Sequence, residues 1–125
     1  MDFDQFSIAL LVLRGDAPDL TEAEEAALQD AHMDHLARLH EAGTLLAAGP
    51  LMGGADSAFR GLSILSVGVD EATALKAEDP AVIAGRYSVT VLPWMVPAGA
   101  AHFRPARFPH SAAEARQPDG HDDAT

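Results

Sequence analysis

The order of the apolar segments constrains the fold of this chain more than any other feature. Short runs of aliphatic and branched residues, typical of buried strands, occur at 6–14, 44–52, 60–68 and 86–94. A long helical segment follows the first run, and a shorter one follows the third. We therefore predict an α+β fold of ferredoxin-like order, βαββαβ, in which two helices cover one face of a four-stranded antiparallel sheet.

The ends of the two helical segments are marked by capping and breaking residues. Thr21 and Glu24 have the spacing of a capping box, and Gly43 suits the position just after a helix C-terminus. The shorter helix begins near Asp70 and is interrupted at Asp79, because a residue that precedes proline avoids helical backbone angles. Asp79 therefore lies at a forced break before the last strand.

The predicted sheet has two apolar faces. The first, second and fourth strands are apolar on both sides, whereas a sheet with one face in solvent alternates between apolar and polar residues. Because the chain offers no further helices for the second face, we expect a second copy of the chain to cover it. The predicted assembly is a homodimer that packs sheet on sheet.

The chain divides into a domain, residues 1–96, and a C-terminal extension, residues 97–125. Proline, alanine and histidine are scattered through the extension without a period, and we expect it to be at least partly disordered. The two phenylalanines of "HFRPARF" offer a means of docking on the domain or on a partner.

Composition excludes several classes of function. A formal net charge of −11 argues against nucleic acid or an anionic membrane as a partner. No apolar run approaches the roughly 18 residues of a membrane span, and the acidic first residues predict no signal peptide. The absence of cysteine excludes disulfides, a thiolate nucleophile and a cysteine metal site. We expect a cytoplasmic protein.

Three of the six histidines lie on the long helix. On a helical wheel His35 falls in the middle of the core face, His32 nearer its edge and His40 at its margin. A buried imidazole beside a carboxylate is a usable proton-transfer group near neutral pH. Asp79 is the candidate carboxylate, since both helices are predicted on the same side of the sheet.

The histidine pattern has other interpretations. His35 can be a core residue that bonds a backbone carbonyl, with Asp79 only capping the turn after the break. His32, His35 and Asp79 can also be read as metal ligands. An H-x-x-H spacing alone is weak support for a metal, and we predict no metal site.

Two stretches of the sequence, "HLARLHEAGTLLAAGPL" and "DPAVIAGRYSVTVLPW", resemble the YCII-related (YciI-like) family over roughly residues 6–96. The residues that carry the resemblance are His35-Leu36, Leu39, Gly43, Ala48-Gly49-Pro50, Asp79-Pro80, Ala84-Gly85 and Tyr87. It implies a ferredoxin-like fold, a homodimer of the dimeric α+β barrel type, and a His–Asp pair at the active site, carried here by His35 and Asp79. Some members and cousins of that family are lyases or isomerases that act on small ring compounds.

One position departs from the family pattern. Related sequences often carry arginine three residues before the histidine, where this chain has His32. We predict that His32 extends the polar pocket and binds substrate together with Gly49 and Pro50, which end the second strand; the alternative is that His32 binds an ion.

The hypothesis that follows is a small lyase or isomerase that uses no organic cofactor. His35 would move a proton on a small, partly apolar, cyclic or aromatic-derived compound, and Asp79 would orient the imidazole. The alternatives are a non-catalytic small-molecule-binding or regulatory module that uses the same pocket, and a purely structural role for the histidines.

Overall fold

The computed structural model describes residues 1–53 and 57–119. The strands are β1 (Phe3–Leu13), β2 (Leu45–Pro50), β3 (Phe59–Leu65) and β4 (Tyr87–Pro97), and the helices are α1 (Glu22–Glu41), α2 (Val69–Ala77), α3 (Pro80–Ile83) and α4 (Ala112–Ala115). All neighbouring strands pair antiparallel, in the order β2-β3-β1-β4. The predicted α+β fold and its βαββαβ order are therefore confirmed.

The ends of α1 form as the sequence predicts. The Thr21 hydroxyl accepts from the Glu24 amide at 3.1 Å, and the Glu24 carboxylate accepts from the Thr21 amide at 3.0 Å. Gly43 follows α1 with a φ of +82°, a left-handed conformation that glycine adopts at little cost. These caps fix where α1 begins and ends along the sheet.

The core lies between the sheet and the two longer helices. Alternate residues of β1, namely Ser7, Ala9 and Leu11, are buried on one face of the sheet. Ala72 of α2 belongs to the core cluster on that face, and Leu39 of α1 packs against it. Both helices therefore cover the same side, as predicted, and they bring α1 near the segment that carries Asp79.

The opposite face of the sheet is apolar and only partly covered. Leu92 of β4 is an exposed large hydrophobic residue on this face, and Ile8 and Leu10 of β1, on the same face, are only half-buried. Phe103 of the extension packs against Phe6 at this end of the sheet, with 5.4 Å between the ring centroids. The second copy of the chain that we expect on this face stays a prediction.

The part of the extension from Ala106 to Ala112 lies along α1. His40 joins the extension to the domain: it donates from Nδ1 to the Leu45 carbonyl at 2.7 Å and accepts from the Ala106 amide at 3.0 Å. Phe108 stacks on the His40 ring, with 3.9 Å between the centroids, and packs against the core. The end of the extension on which the prediction of disorder falls, residues 120–125, lies outside the described residues.

No helix in the described parts of the chain is both long enough and apolar enough to cross a bilayer.

Candidate active site

The carboxylate of Asp79 is bonded to His32. Nδ1 of His32 lies 2.7 Å from Oδ2 of Asp79. The side chain of Asp79 is fully buried, and that of His32 is 11% exposed. The pair joins the middle of α1 to the break between α2 and α3.

The predicted pairing of Asp79 with His35 is wrong. Nε2 of His35 donates instead to the carbonyl of Leu75, at 3.1 Å. Three residues along a helix correspond to a rise of about 4.5 Å, so His32 and His35 share a face of α1 but differ in level along its axis. His35 contacts the last part of α2, whereas His32 contacts Asp79, the N-cap of α3. A helical wheel gives the angle of a side chain around the helix axis but not its position along that axis.

Asp79 holds the imidazole of His32 in one orientation. Its second oxygen, Oδ1, accepts from the backbone amide of Ala81 at 2.9 Å and so caps α3. Burial alone would raise the pKa of Asp79. The hydrogen bond and charge of His32, the Ala81 amide and the charge of Lys76 outweigh burial and lower the pKa below 3.8. The carboxylate is therefore ionised near neutral pH and accepts the Nδ1–H of His32.

The tautomer that results leaves Nε2 of His32 free to accept a proton. Nε2 has no hydrogen-bond partner among the described residues. His35 differs, since burial lowers its pKa and the nearby charge of Asp79 only partly opposes this. His35 is therefore a neutral residue that ties α1 to α2.

A cavity of about 500 Å³ lies between α1, the sheet and the extension. Its polar lining residues are Gln29, His32, Arg60, Ser63 and Tyr87. Its apolar lining includes Leu11, Met33, Leu36 and Phe108. Gly49 and Pro50 also line it, so the structure brings all three predicted substrate-binding residues to one cavity, with His32 as the link to Asp79.

A family model described as the YCII-related domain matches residues 9–95. The chain belongs to the YCII-related family. No curated protein matches it. Among solved structures, the chain is similar to 5-chloro-2-hydroxyhydroquinone dehydrochlorinase from Burkholderia phenoliruptrix in complex with 2,5-dihydroxybenzoquinone. The sequences are 22% identical, the match covers 71% of this chain and 92% of that chain, and the TM-score is 0.47.

Two residues beside the candidate site of this YCII-related protein, Lys76 and Ser63, were not predicted from the sequence. Lys76 of α2 is fully buried, and its ammonium donates to the hydroxyl of Ser63 at 3.2 Å. Burial lowers the pKa of Lys76, and the carboxylate of Asp79 partly opposes this. Lys76 stands four residues after the buried Ala72, so a lysine in the core-facing row of a short helix was the available signal.

The extension forms one wall of the cavity, outside the residues that the YCII-related family model matches. Phe108 and Pro109 line the cavity, although they lie beyond residue 95. No periodic pattern in the sequence pointed to them. Within residues 1–53 and 57–119, no group of three or more His, Asp or Glu side chains is arranged to hold a metal ion.

Proposed function

We propose that this YCII-related protein is a small lyase or isomerase in which His32 transfers a proton and Asp79 positions it. The observation that carries the proposal is the 2.7 Å contact between His32 Nδ1 and a fully buried carboxylate, on a histidine that lines a cavity. Such a carboxylate fixes the tautomer and stabilises the imidazolium that forms when Nε2 takes a proton. His32 thus takes the role first predicted for His35.

The cavity supports a small and partly apolar substrate. A volume of about 500 Å³ is within the range of small-molecule sites, about 300–1,000 Å³. Aliphatic and aromatic walls beside a few polar groups suit a ring compound with one or two oxygens, such as a cyclic ketone or a phenol. Proton transfer at carbon beside a carbonyl needs an acid–base group rather than an organic cofactor.

A second candidate is a module that binds such a compound without turning it over. It is favoured by the second role of Asp79, whose carboxylate also caps α3 through Ala81. A structural need for that cap explains the buried aspartate without catalysis. In this case His32 contributes only a polar contact to the ligand.

Exchange of carbon-bound hydrogen in D₂O tests the proposal without knowledge of the full reaction. The protein is incubated with a panel of small cyclic ketones and phenols, and deuterium incorporation is followed by mass spectrometry. We expect exchange with at least one compound, and a loss of about 10²- to 10⁴-fold in His32→Gln. His35→Gln is the matched control, one helical turn away on α1, and should retain exchange.

Two results would contradict the proposal. Exchange that survives His32→Gln would remove His32 from the chemistry. Saturable binding of panel compounds with no exchange in the wild-type protein would favour the binding module.

We also propose that the protein is a homodimer whose copies meet through the outer face of the sheet. The support is the apolar outer face of the sheet, on which Leu92 is exposed and Ile8 and Leu10 are only half-buried in a single chain. Light scattering at micromolar concentration should give twice the mass of 13.1 kDa. A monomeric mass would reject the dimer and leave the catalytic proposal in place.

A further inference from the structure

The buried ammonium group of Lys76 lies behind the cavity wall and is hydrogen-bonded to one residue of that wall, Ser63. Ser63 lines the cavity and is 3% exposed, whereas Lys76 is fully buried and does not line it. The ammonium of Lys76 lies 3.2 Å from the hydroxyl oxygen of Ser63. Burying an amine in the core costs stability, so its place beside a cavity-lining hydroxyl needs an explanation.

The direction of this hydrogen bond gives Ser63 a free donor. An ammonium group can only donate, so the Ser63 oxygen accepts. The hydroxyl hydrogen is then left for another acceptor, and Ser63 has no second hydrogen-bond partner among the described residues. A hydroxyl that accepts from a cation is polarised and becomes a stronger donor in turn.

The charge of the cavity lining differs from that of the whole chain. The chain has 19 acidic and 8 basic residues. Among the described residues that line the cavity there is no aspartate or glutamate, but Arg60 is present. The Nε of Arg60 is buried and has no hydrogen-bond partner within the described part of the chain. The lining therefore favours a negatively charged ligand over a positive one.

We propose that the cavity binds the oxyanion of a small ring compound, a phenolate or an enolate, with Ser63 as donor and Lys76 as the charge behind it. This rests on the proposed function, since it takes the same cavity as the substrate site. When His32 Nε2 takes a proton from carbon beside a carbonyl, the C–H electrons form a C=C bond. The carbonyl π pair then moves to oxygen, and the hydroxyl of Ser63 donates a hydrogen bond to the oxyanion that forms.

The test is equilibrium binding of 4-nitrophenol, whose anion absorbs visible light, compared with the neutral 4-nitroanisole. Binding is measured in the His32→Gln protein, so that turnover plays no part. We expect a preference for the anion of tenfold or more and an increase in its absorbance on binding. Ser63→Ala should weaken anion binding by about ten- to a hundredfold, since a charge-assisted hydrogen bond is lost, and leave binding of 4-nitroanisole unchanged.

Ser7→Ala is the matched control. Ser7 is 1% exposed on the same face of the sheet, but its hydroxyl donates to the carbonyl of Val67 at 2.6 Å and it does not line the cavity. It should leave the anion affinity unchanged. Lys76→Met should lower that affinity as well; if this variant does not fold, the comparison of Ser63→Ala with Ser7→Ala decides.

The possible results separate this inference from the proposed function. Equal or tighter binding of the neutral probe, no binding of the anion, or an unchanged anion affinity in Ser63→Ala would overturn the inference. Wild-type exchange in D₂O could still occur, and the proposed function would then stand alone. Anion preference with no exchange would support the inference and reject catalysis.

Discussion

Two substitutions of Asp79 should separate its two roles, the hydrogen bond to His32 and the N-cap of α3. Oδ1 accepts from the Ala81 amide at 2.9 Å, and Oδ2 accepts from His32 at 2.7 Å. Asp79→Asn keeps a cap for α3, because asparagine and aspartate cap helices about equally well. It removes the negative charge that faces His32 and Lys76. Asp79→Ala removes both the charge and the cap.

The expected losses follow from these contacts. A hydrogen bond to a charged group contributes about 1.5–3 kcal/mol, so Asp79→Asn should lower the free energy of unfolding by about 2–3 kcal/mol. Asp79→Ala also removes the N-cap of α3, which adds about 1 kcal/mol. Asp79→Ala should therefore lower the free energy of unfolding by about 3–4 kcal/mol.

The effect of Asp79→Asn should depend on pH in a defined direction. The pKa of Asp79 is lower in the folded protein than the 3.8 of an ordinary aspartate. Its contribution to stability is therefore fully present above pH 3.8 and is lost as the pH falls through the lowered folded value. The difference between wild type and Asp79→Asn should be largest near neutral pH and shrink in acid.

Urea unfolding at fixed protein concentration, followed by the fluorescence of Trp94, measures these differences. Asp70→Asn is the matched control, since Asp70 is exposed in the first turn of α2, and should change stability by less than about 0.5 kcal/mol. An Asp79→Asn protein as stable as wild type at pH 7 would refute the reasoning. So would equal losses in the Asn and Ala variants.

Two further substitutions test other buried or paired charges. Burial lowers the pKa of Lys76 below 10.5, so the unfolded chain binds this proton more tightly and wild-type stability should rise as the pH approaches 10.5. Lys76→Met should be at least as stable as wild type at pH 7 in urea and lack that rise; a large loss of stability would contradict this. Hydrogen bonds to Asp34 and Glu41 raise the pKa of His110 above 6.5. Its stabilisation of the extension against α1 is therefore fully present below pH 6.5 and is lost as the pH rises through the raised value. At pH 6 the amides of residues 106–116 should exchange faster in His110→Ala than in wild type, whereas at pH 9 the two proteins should exchange alike. No difference between variant and wild type at pH 6 would count against this role of His110.

The sequence predicts the fold well because local signals and apolar patterns agree. The capping box of Thr21 and Glu24 and the glycine after α1 place the long helix, and Asp79-Pro80 places the break. Pro93 predicts an edge strand or the end of a strand, and it lies in β4, one of the two edge strands of the sheet. An edge strand tolerates a proline because one side of it needs no ladder hydrogen bonds.

The site is predicted less completely, for reasons that are geometric. Asp79 was identified as the carboxylate, but its partner depends on the level at which α1 passes the break, and this is a property of helix packing. Lys76 and Ser63 meet across 13 residues of sequence, and Phe108 reaches the cavity from a segment without a period. Such contacts are fixed by tertiary structure and leave no local pattern.

The proposed function requires that Asp79 holds His32 with its proton on Nδ1 and leaves Nε2 for chemistry in the cavity. Long-range ¹H–¹⁵N NMR of the imidazoles, recorded where they are neutral, reports the tautomer of each histidine directly. We expect His32 as the Nδ1–H tautomer in wild type, a change of tautomer in Asp79→Asn, and a shift of His32 Nε2 when 4-nitrophenolate binds. An Nε2–H tautomer at His32, or a ligand-induced shift at His35 alone, would contradict the account.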